Sequence, residues 1–569
     1  MKKKDNSHYK QNISNALFKT LLHRIPPKVF SPYLEEIVDA LMDALAKGEV
    51  EICLTKDHIQ SQSNDPGWPE AYRKALLASG WLKGASSPMV LENNQLSWRR
   101  WHEVMNEVTN QLLHRSNLMQ VEVNISSNQK GADLKGSLNL EQRNAVEVVS
   151  SKNVVLLSGG PGTGKTSTIM QMIERALCIN PNLQIGITAP TGKATRRLQE
   201  SLQKGIRAIK PSYQDTLCKI PCKTIHRWLE ASAHGFVKNK RNLLSLGLLV
   251  VDEMSMVDVA LMKSLLDALP EKTQIILVGD HNQLPPIGSG AIWHHLQKET
   301  IKTQFKNGAI HLQKCYRNRG EIALLSEILC KDGIRSFWRE LGHRPKTSNV
   351  QSHQAKISFI PPLLLQRLSN HSKKLEGLAK TILNKLPKDL QLLSLDEINI
   401  GIEGEQLLCC LEELIILSPK RYGNWGVNEI HKAILGNNFE ESLSTWPQGT
   451  PVMCSKNQPE LQLANGDIGI VIGENINRRL AFKICSEDGN QFMRFIHPAR
   501  LKAIEPALAM TIHKAQGSEA NEVFLLWPEG CTQSHTKDEQ AQKNHEERLL
   551  YTGITRAREA VTLFIKSDK

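Results

Sequence analysis

The chain has 569 residues, 40% hydrophobic and 23% charged, which is typical of a globular protein with roughly three to five domains. No apolar run reaches the roughly 18 residues of a membrane span, and the charged start Met1–Asp5 lacks a signal-peptide core, so we expect a cytoplasmic protein without membrane association. Lysine and arginine outnumber acidic residues by 71 to 58, and this formal charge of +13 favours a polyanionic partner. The 11 cysteines are scattered without paired ligand spacing, so we expect reduced thiols rather than disulfides or a zinc site.

Residues 1 to about 130 contain no nucleotide-binding motif and are predicted to be helical. Helices are predicted from Tyr33 to Ala46, from Glu70 to Ser79 and from Arg99 to Leu113, with short polar breaks between them. The stretch Ile125 to Lys135 is rich in Ser, Asn, Lys and Gly, which is typical of a linker. We therefore expect a first domain to end here.

A glycine-rich loop follows the apolar run Val154–Leu157 and precedes a helix-like run from Ser167 to Ile179. Its sequence is Gly159-Gly160-Pro161-Gly162-Thr163-Gly164-Lys165-Thr166, which has the spacing of a phosphate-binding P-loop. The loop N–H groups and the N-terminus of the next helix favour phosphate, Lys165 reaches the β- and γ-phosphates, and the Thr166 hydroxyl ligates magnesium. The sequence therefore predicts a nucleoside triphosphate site, with ATP and Mg²⁺ as the bound species.

Strands alternate with helices from the linker to about residue 320, which predicts a parallel sheet with crossover helices. The predicted strands are Val154–Ser158, Ile185–Ala189, Leu246–Val251, Ile275–Gly279 and Ala309–Leu312.

Two of these strands end in polar side chains, at the sheet edge where such folds bind nucleotides. Asp252 and Glu253 follow one strand, where Asp252 can hold the magnesium shell and Glu253 can polarise the attacking water. Gln283 follows the next strand and is placed to sense the γ-phosphate. Taken alone, each segment is also explained as a polar turn after a core strand.

The second half of the chain is predicted to hold another parallel sheet. A mostly helical region over 321–411, with Gly342–Gln354 as an exposed loop, precedes it. Short strand-like pieces and turns between Gly436 and Pro506 predict a small inserted β domain. Two sheet cores with a nucleotide between them suit a motor that opens and closes. The predicted strands of this second set are Leu414–Ser418, Val523–Leu526 and Val561–Ile565.

Six further segments, in this order, resemble motifs of superfamily 1 helicases: Leu140–Arg143, Thr188–Ala194, Thr224–Arg227, Cys315–Asn318, Met510–Glu519 and Tyr551–Arg558. The resemblance implies that Gln142 recognises the adenine edge, that Arg317 is an arginine finger and that Arg556 completes the γ-phosphate site. It also implies contacts to single-stranded DNA by Thr191, Thr224, His226, Thr511 and His513.

Within that superfamily the chain resembles the RecD family, the α subunit of exodeoxyribonuclease V. The resemblance lies in Asp252–Asp258, Leu417–Asn428, Gly449–Gly469 and His513–Glu519, and it runs from about residue 90 to the C-terminus. It implies an α/β fold with two RecA-like P-loop parallel-sheet domains, a helical N-terminal domain and a small inserted SH3-like β domain. The expected boundaries are 1–130 for partner docking, 131–325 for the first core, 326–440 and 503–569 for the second core (helical over 326–411), and 441–502 for the inserted β-barrel.

The RecD resemblance implies an ATP-dependent helicase that moves 5′ to 3′ on single-stranded DNA, acts at duplex ends and joins RecB-like and RecC-like subunits in a heterotrimer for double-strand break repair and recombination. We find no nuclease-like cluster of acidic residues, so exonuclease activity is expected only from the assembly. A stand-alone helicase of the same family is the alternative. The complete set of catalytic residues argues against a purely regulatory subunit, and the resemblance alone disfavours an RNA helicase.

Trp228 and Trp425 are candidates for base stacking, although a buried position is favoured at each.

Overall fold

The computed structural model describes residues 6–46, 48–55, 67–84, 86–118, 138–206, 209–232, 234–316, 320–343, 348–356, 360–385, 396–399, 402–439, 443, 445–485, 491–528 and 539–566. These residues form an N-terminal unit, two parallel-sheet cores and an antiparallel β domain. The predicted α/β fold class with two parallel-sheet domains is thereby confirmed. Among the described helices, none combines the length and the apolar character that crossing a membrane requires.

The N-terminal unit combines helices with a small antiparallel sheet that the sequence did not predict. Its helices are α1 (Asn6–Arg24), α2 (Tyr33–Ala46), α3 (Glu70–Ser79) and α4 (Arg99–Asn117). Its strands are β1 (Glu51–Cys53), β2 (Met89–Glu92) and β3 (Gln95–Trp98), with β3 in the centre. The predicted bounds of α2 and α3 are confirmed, and α4 continues past the predicted Leu113. Helix α2 forms because Leu34, Ile37 and Leu41 recur at helical spacing and are buried.

The first core is a six-stranded parallel sheet with helices on both faces. Its strands lie in the order β11-β4-β10-β9-β5-β6. The four central strands are buried on both faces because crossover helices cover them, whereas the edge strands β11 and β6 are only partly buried. All five predicted strands are present, and β6 is an additional short edge strand. The strands are β4 (Val154–Gly159), β5 (Ile185–Ala189), β6 (Cys222–Thr224), β9 (Leu248–Val251), β10 (Gln274–Gly279) and β11 (Ala309–Leu312). The helices are α5 (Leu140–Val148), α6 (Lys165–Ile179), α7 (Gly192–Gly205), α8 (Pro211–Cys218), α9 (Ile225–Trp228), α10 (Val259–Asp267), α11 (Ile292–Leu296) and α12 (Glu299–Lys302). A short hairpin of β7 (Ala231–Ser232) and β8 (Gly235–Phe236) follows α9.

Helix α4 fixes the N-terminal unit to this core. Val108 and Leu112 of α4 are buried in the core's hydrophobic cluster. The buried guanidinium of Arg115 donates to the carbonyls of Leu266 and Leu269 at the end of α10, at 3.3 and 2.9 Å. Arg115 thereby ties α4 to the C-terminal end of α10 and to the residues that follow it.

The second core is a five-stranded parallel sheet in the order β12-β22-β21-β14-β20. All three predicted strands are present, and two of them are longer than predicted. The strands are β12 (Val350–Ala355), β14 (Leu414–Ser418), β20 (Met510–Thr511), β21 (Ala520–Trp527) and β22 (Ala557–Lys566). The helices are α13 (Glu321–Gly342), α14 (Pro362–Lys385), α15 (Ile402–Leu411), α16 (Val427–Leu435) and α17 (Glu539–Ile554).

One prediction in this region is wrong. The segment Gly342–Gln354 was expected to be an exposed loop, but α13 extends to Gly342 and Val350–Ala355 form the edge strand β12, which pairs in parallel with β22. Strand β12 lies at the edge of the sheet, and its burial alternates along the strand. Because alternate residues within it are exposed, its sequence can be polar.

The β domain is a six-stranded antiparallel sheet in the order β13-β18-β17-β16-β15-β19. Four strands fall within the expected insertion 441–502, whereas β13 precedes it and β19 follows it. Helices α14 and α15 contribute Leu375 and Leu407 to its hydrophobic cluster. The strands are β13 (Asp396–Asn399), β15 (Pro451–Cys454), β16 (Ile468–Ile472), β17 (Arg479–Cys485), β18 (Gln491–Ile496) and β19 (Ile504–Pro506).

Candidate nucleotide and DNA site

A cavity of about 390 Å³ lies between the two cores. Its first-core wall comes from the carboxyl ends of β4, β9 and β10, the edge at which parallel sheets bind ligands. Its second-core wall comes from segments that immediately precede β21 and β22. The lining includes Pro161, Gly162, Gly164, Lys165, Thr166, Arg197, Asp252, Glu253, Gln283, Tyr316, Gly517, Glu519 and Arg556.

The P-loop links β4 to α6 by a backbone that only glycine adopts easily. Gly162 and Gly164 have positive φ values of 76° and 83°, and a Cβ at Gly164 would lie 2.6 Å from Gln142 Nε2. The ammonium of Lys165 donates to the carbonyls of Gly159 and Gly160 at 2.8 and 2.9 Å, so it lies over the loop. Helix α6 begins at Lys165, and its N-terminal N–H groups favour an anion in the cavity.

Gln142 joins the P-loop to a tyrosine that sequence reasoning did not select. It forms a capping box with Asn139 at the start of α5, and its Nε2 donates to the Thr163 carbonyl at 3.3 Å. The Tyr316 hydroxyl donates to Gln142 Oε1 at 3.5 Å, and the Tyr316 N–H donates to the Gly162 carbonyl at 2.7 Å. The exposed ring of Tyr316 therefore lies beside the loop, where a base could stack on it. Its neighbour Arg317, the predicted arginine finger, lies outside the described residues.

The paired carboxylates after β9 line the cavity. Asp252 Oδ1 accepts from the Glu253 N–H at 2.8 Å, and Glu253 has a left-handed φ of 54°. A non-glycine residue in this conformation is strained, which is common where a side chain must be aimed at a ligand. Burial and the nearby Glu253 carboxylate raise the pKa of Asp252 to about 6, and Lys165 opposes the shift. This pair would be stabilised by a cation.

The loop after β10 connects the cavity to the second core. Asp280 Oδ2 accepts from Gln283 Nε2 at 3.2 Å and from the hydroxyl of Tyr551, on α17, at 3.0 Å. The Leu284 N–H donates to Thr552 Oγ1 at 3.1 Å. Gln283 lines the cavity, and its buried Oε1 has no hydrogen-bond partner, so this acceptor is available to a polar group. Sequence reasoning missed Asp280 and Tyr551.

The second core presents Arg556 and Glu519 to the cavity. Arg556 is buried, and its Nε donates to the Thr552 carbonyl at 3.0 Å. Glu519 forms ion pairs with Arg197 of α7, in the first core, and with Arg558 at 3.4 Å. The Arg197 guanidinium also donates to the Gly517 carbonyl at 3.3 Å. Helix α7 thus contacts the second core at the cavity wall.

The same helix contacts the β domain. Arg196, which precedes Arg197, pairs with the buried Asp467 at 2.7 Å, and Lys483 pairs with Glu200 at 2.5 Å. Burial raises the pKa of Asp467, and Arg196 opposes this shift. Two neighbouring arginines on one helix therefore reach two different parts of the molecule.

The five residues predicted to bind DNA lie outside the cavity lining. The Thr191 and Thr224 hydroxyls accept from N–H groups in the first turns of α7 and α9, at 3.2 and 3.3 Å, so both residues serve as helix N-caps. Thr511 Oγ1 accepts from the Lys514 N–H at 3.4 Å. His226 is exposed, and the ring of His513 lies 6.2 Å from that of His545.

Of the two tryptophans considered for base stacking, one is buried and the other is partly buried. Trp425 is 1% exposed, and Trp228 Nε1 donates to the Ile187 carbonyl at 3.1 Å. The buried interpretation is confirmed for Trp425, and Trp228 is partly buried against the first core.

Comparison with known proteins gives two family matches, an AAA domain over residues 142–289 and a UvrD-like helicase C-terminal domain over residues 506–564. The chain is 30% identical over 436 residues to the RecBCD enzyme subunit RecD of Mycolicibacterium smegmatis, covering 74% of this chain and 70% of that protein. It is 26% identical over 429 residues to the ATP-dependent RecD2 DNA helicase of Deinococcus radiodurans, covering 74% of this chain and 48% of that protein. The crystal structure of Bacteroides Pif1 bound to ssDNA is similar with a TM-score of 0.37 at 15% identity, covering 75% of this chain and 92% of that chain.

Proposed function

The chain belongs to the RecD family of ATP-dependent DNA helicases, and we propose that it moves 5′ to 3′ along single-stranded DNA as the α subunit of a RecBCD-type complex. The observation that carries this proposal is a cavity lined by both cores, with Lys165 and Asp252 on one wall and Arg556 on the other. Because the walls belong to different sheets, nucleotide binding and hydrolysis are coupled to the distance between the cores.

The proposed roles follow from position and charge. Lys165 and the N–H groups of Gly159–Thr166 hold the phosphates, and Gln142 with Tyr316 holds the base. Glu253 orients the attacking water, Gln283 senses the γ-phosphate, and Arg556 stabilises the charge that develops on it. Arg317 is assigned as a second arginine finger from its motif alone.

A magnesium ion fits this cavity because Thr166 and Asp252 supply oxygen donors and the Glu253 carboxylate lies beside them, and oxygen ligands are those that magnesium prefers. Bound there, the ion would neutralise charge on the β- and γ-phosphates.

DNA is proposed to lie across the ends of β5 and β6 in the first core and β20 in the second, where Thr191, Thr224, His226, Thr511 and His513 are found. Backbone N–H groups at helix starts are common phosphate ligands, so the capping roles of Thr191 and Thr224 are compatible with this assignment. The excess of basic residues supports a polyanionic substrate. The proposed place of action is the cytoplasm.

Two observations support the subunit role over a stand-alone helicase. The chain is 30% identical to a RecD subunit, with 70% of that protein covered, and 26% identical to a RecD2 helicase, with 48% of that protein covered. The N-terminal unit also exposes Val29, Phe30 and Leu77, at 56%, 60% and 52%, as a docking surface would. We propose RecB-like and RecC-like subunits as partners, with exonuclease activity arising only in the assembly.

The test is unwinding of duplexes with a 5′ tail or a 3′ tail by the purified chain, alone and with RecB-like and RecC-like subunits. Unwinding from the 5′ tail that requires the partners supports the proposal. Equal activity of the chain alone supports the stand-alone alternative. Unwinding only from the 3′ tail overturns the proposed polarity.

A further inference from the structure

A cluster of three metal-ligating side chains lies outside the nucleotide cavity, where α14 packs beside the end of α15. His371 comes from α14, Cys410 from α15, and Glu413 from the turn before β14. One ligand atom from each lies within 4.8 Å of the other two. His371 and Cys410 are buried, at 8% and 1% exposure, so the cluster is part of the packed structure.

The ligand atoms of His371 and Cys410 both lie near one carboxylate oxygen of Glu413. Glu413 Oε2 lies 3.9 Å from His371 Nδ1 and 3.9 Å from Cys410 Sγ. Zinc binds nitrogen, oxygen and sulfur ligands at about 2.0–2.3 Å in tetrahedral geometry, which places pairs of ligand atoms roughly 3.3–3.8 Å apart. Small side-chain rotations would therefore bring all three atoms onto one ion.

The carboxylate of Glu413 is already oriented for this role. Its Oε1 accepts from the ammonium of Lys374, which leaves Oε2 turned toward His371 and Cys410. The backbone of Glu413 is held between the Cys410 carbonyl and the Glu522 N–H, at 3.1 and 2.9 Å. Carboxylate ligands of metals are commonly fixed by such an outer hydrogen bond.

The cluster also leaves room for a further ligand. His371 and Glu413 line a cleft of about 570 Å³, bounded by Arg367, Asn370 and Lys374 of α14. A water molecule could complete four-coordination from this side. A donor set of imidazole, thiolate and one carboxylate selects zinc over magnesium or calcium, which prefer oxygen alone.

We propose that His371, Cys410 and Glu413 bind one zinc ion that fastens α14 to the turn between α15 and β14. The neighbouring residue of that turn, Glu412, pairs with Arg558 at 2.9 Å, and Arg558 pairs with Glu519 of the nucleotide cavity. The ion would thus stabilise the turn that supports this side of the second core. Sequence reasoning did not find this site because His371 lies far before Cys410 and Glu413 in the chain.

The test is a titration of the full metal-free chain with Co²⁺, which replaces zinc and shows a thiolate charge-transfer band only when a cysteine is bound. The expected result is one equivalent bound, with the band present in the wild type and in Cys409→Ser. Cys409 is the matched control because it is adjacent to Cys410 but exposed. The band is expected to be lost in Cys410→Ser, with affinity reduced at least tenfold.

His371→Gln and Glu413→Gln provide an independent check if Cys410→Ser does not fold. Each is expected to weaken Co²⁺ binding at least tenfold while retaining a folded circular dichroism spectrum. Addition of Zn²⁺ should abolish the cobalt band and raise the unfolding temperature of the wild type, but not of these variants. A band of equal strength in wild type and Cys410→Ser, its loss in Cys409→Ser, or no band in the wild type overturns the proposal.

Discussion

The two cores are both parallel sheets with helices, but they line the nucleotide cavity from opposite ends of their strands. The first core supplies the P-loop, Asp252 and Gln283 from the carboxyl ends of its strands, whereas the second supplies Glu519 and Arg556 from the residues just before β21 and β22. In the proposed assignment, the first-core groups hold the triphosphate and the second core adds mainly charge at one wall. This assignment predicts that the first core can bind nucleotide, whereas turnover requires both cores.

The largest effect is expected for Lys165→Ala in the first core. Removal of the ammonium over the P-loop should reduce DNA-stimulated ATP turnover on the order of 10⁴-fold and weaken nucleotide binding. Steady-state ATPase assays and nucleotide titration measure the two effects. The control is Lys219→Ala, an exposed lysine of the same core, which should retain activity. Normal turnover in Lys165→Ala would contradict the assignment of the cavity.

Arg556→Ala tests the contribution of the second core. Hydrolysis should fall about 10³-fold, while nucleotide affinity changes little, because the arginine acts on charge that develops during phosphoryl transfer. Single-turnover hydrolysis and equilibrium binding separate these quantities. Since Arg556 also donates to the Thr552 carbonyl, Arg556→Lys is the companion variant that retains the charge. If either variant binds nucleotide as poorly as Lys165→Ala, the proposed division between the cores fails.

A smaller effect is expected where α7 holds the β domain. Arg196→Ala leaves the buried carboxylate of Asp467 without its cation and should lower the free energy of unfolding by about 2 kcal/mol. Urea unfolding of this variant, of Asp467→Asn and of the double variant forms a double-mutant cycle. The exposed pair Lys331–Glu327 is the control, since Lys331→Ala should leave the transition unchanged. Additive losses in the cycle would show that Arg196 and Asp467 do not act as a pair.

The smallest effect concerns acid stability of the second core. Burial lowers the pKa of His431 to about 4, and its Nε2 accepts from the Ala509 N–H at 3.2 Å, which requires the neutral ring. The folded state therefore binds fewer protons than the unfolded state. The contribution of His431 to stability is fully present above pH 6.5 and is lost as the pH falls toward 4.

Relative to that of His431→Gln, the free energy of unfolding of the wild type should fall by about 1 kcal/mol between pH 7.5 and pH 5.5. Unfolding of both proteins at several pH values measures the difference. Parallel pH profiles would exclude His431 as a source of acid sensitivity.

The sequence predicted the first core closely because its strands are continuous apolar runs and its loop glycines have a fixed spacing. Ile185–Ala189 and Ala309–Leu312 have the predicted bounds. The edge strand β12 was mistaken for a loop because its residues are polar and its partner β22 lies about 200 residues later in the chain.

The same distinction applies to the candidate site. The cavity brings together Lys165, Thr166, Asp252 and Gln283, which the strand-and-loop pattern had selected. The contacts of Asp280 with Tyr551 and of Arg197 with Glu519 join residues more than 250 positions apart, and no local sequence pattern predicts them. The roles assigned to these residues, including Arg317, stay predictions until variants are measured.

The position of β22 has a consequence for how the protein is made on the ribosome. Every strand of the first core has been synthesised by residue 312, whereas β22, which lies between β12 and β21, ends at residue 566. At about 5–20 residues per second, the first core can fold on the order of tens of seconds before the second has its full sheet. Once β21 has been synthesised, β12 and β21 still lack their shared neighbour, so a nascent chain interrupted before β22 exposes unpaired strand edges to aggregation or chaperone capture.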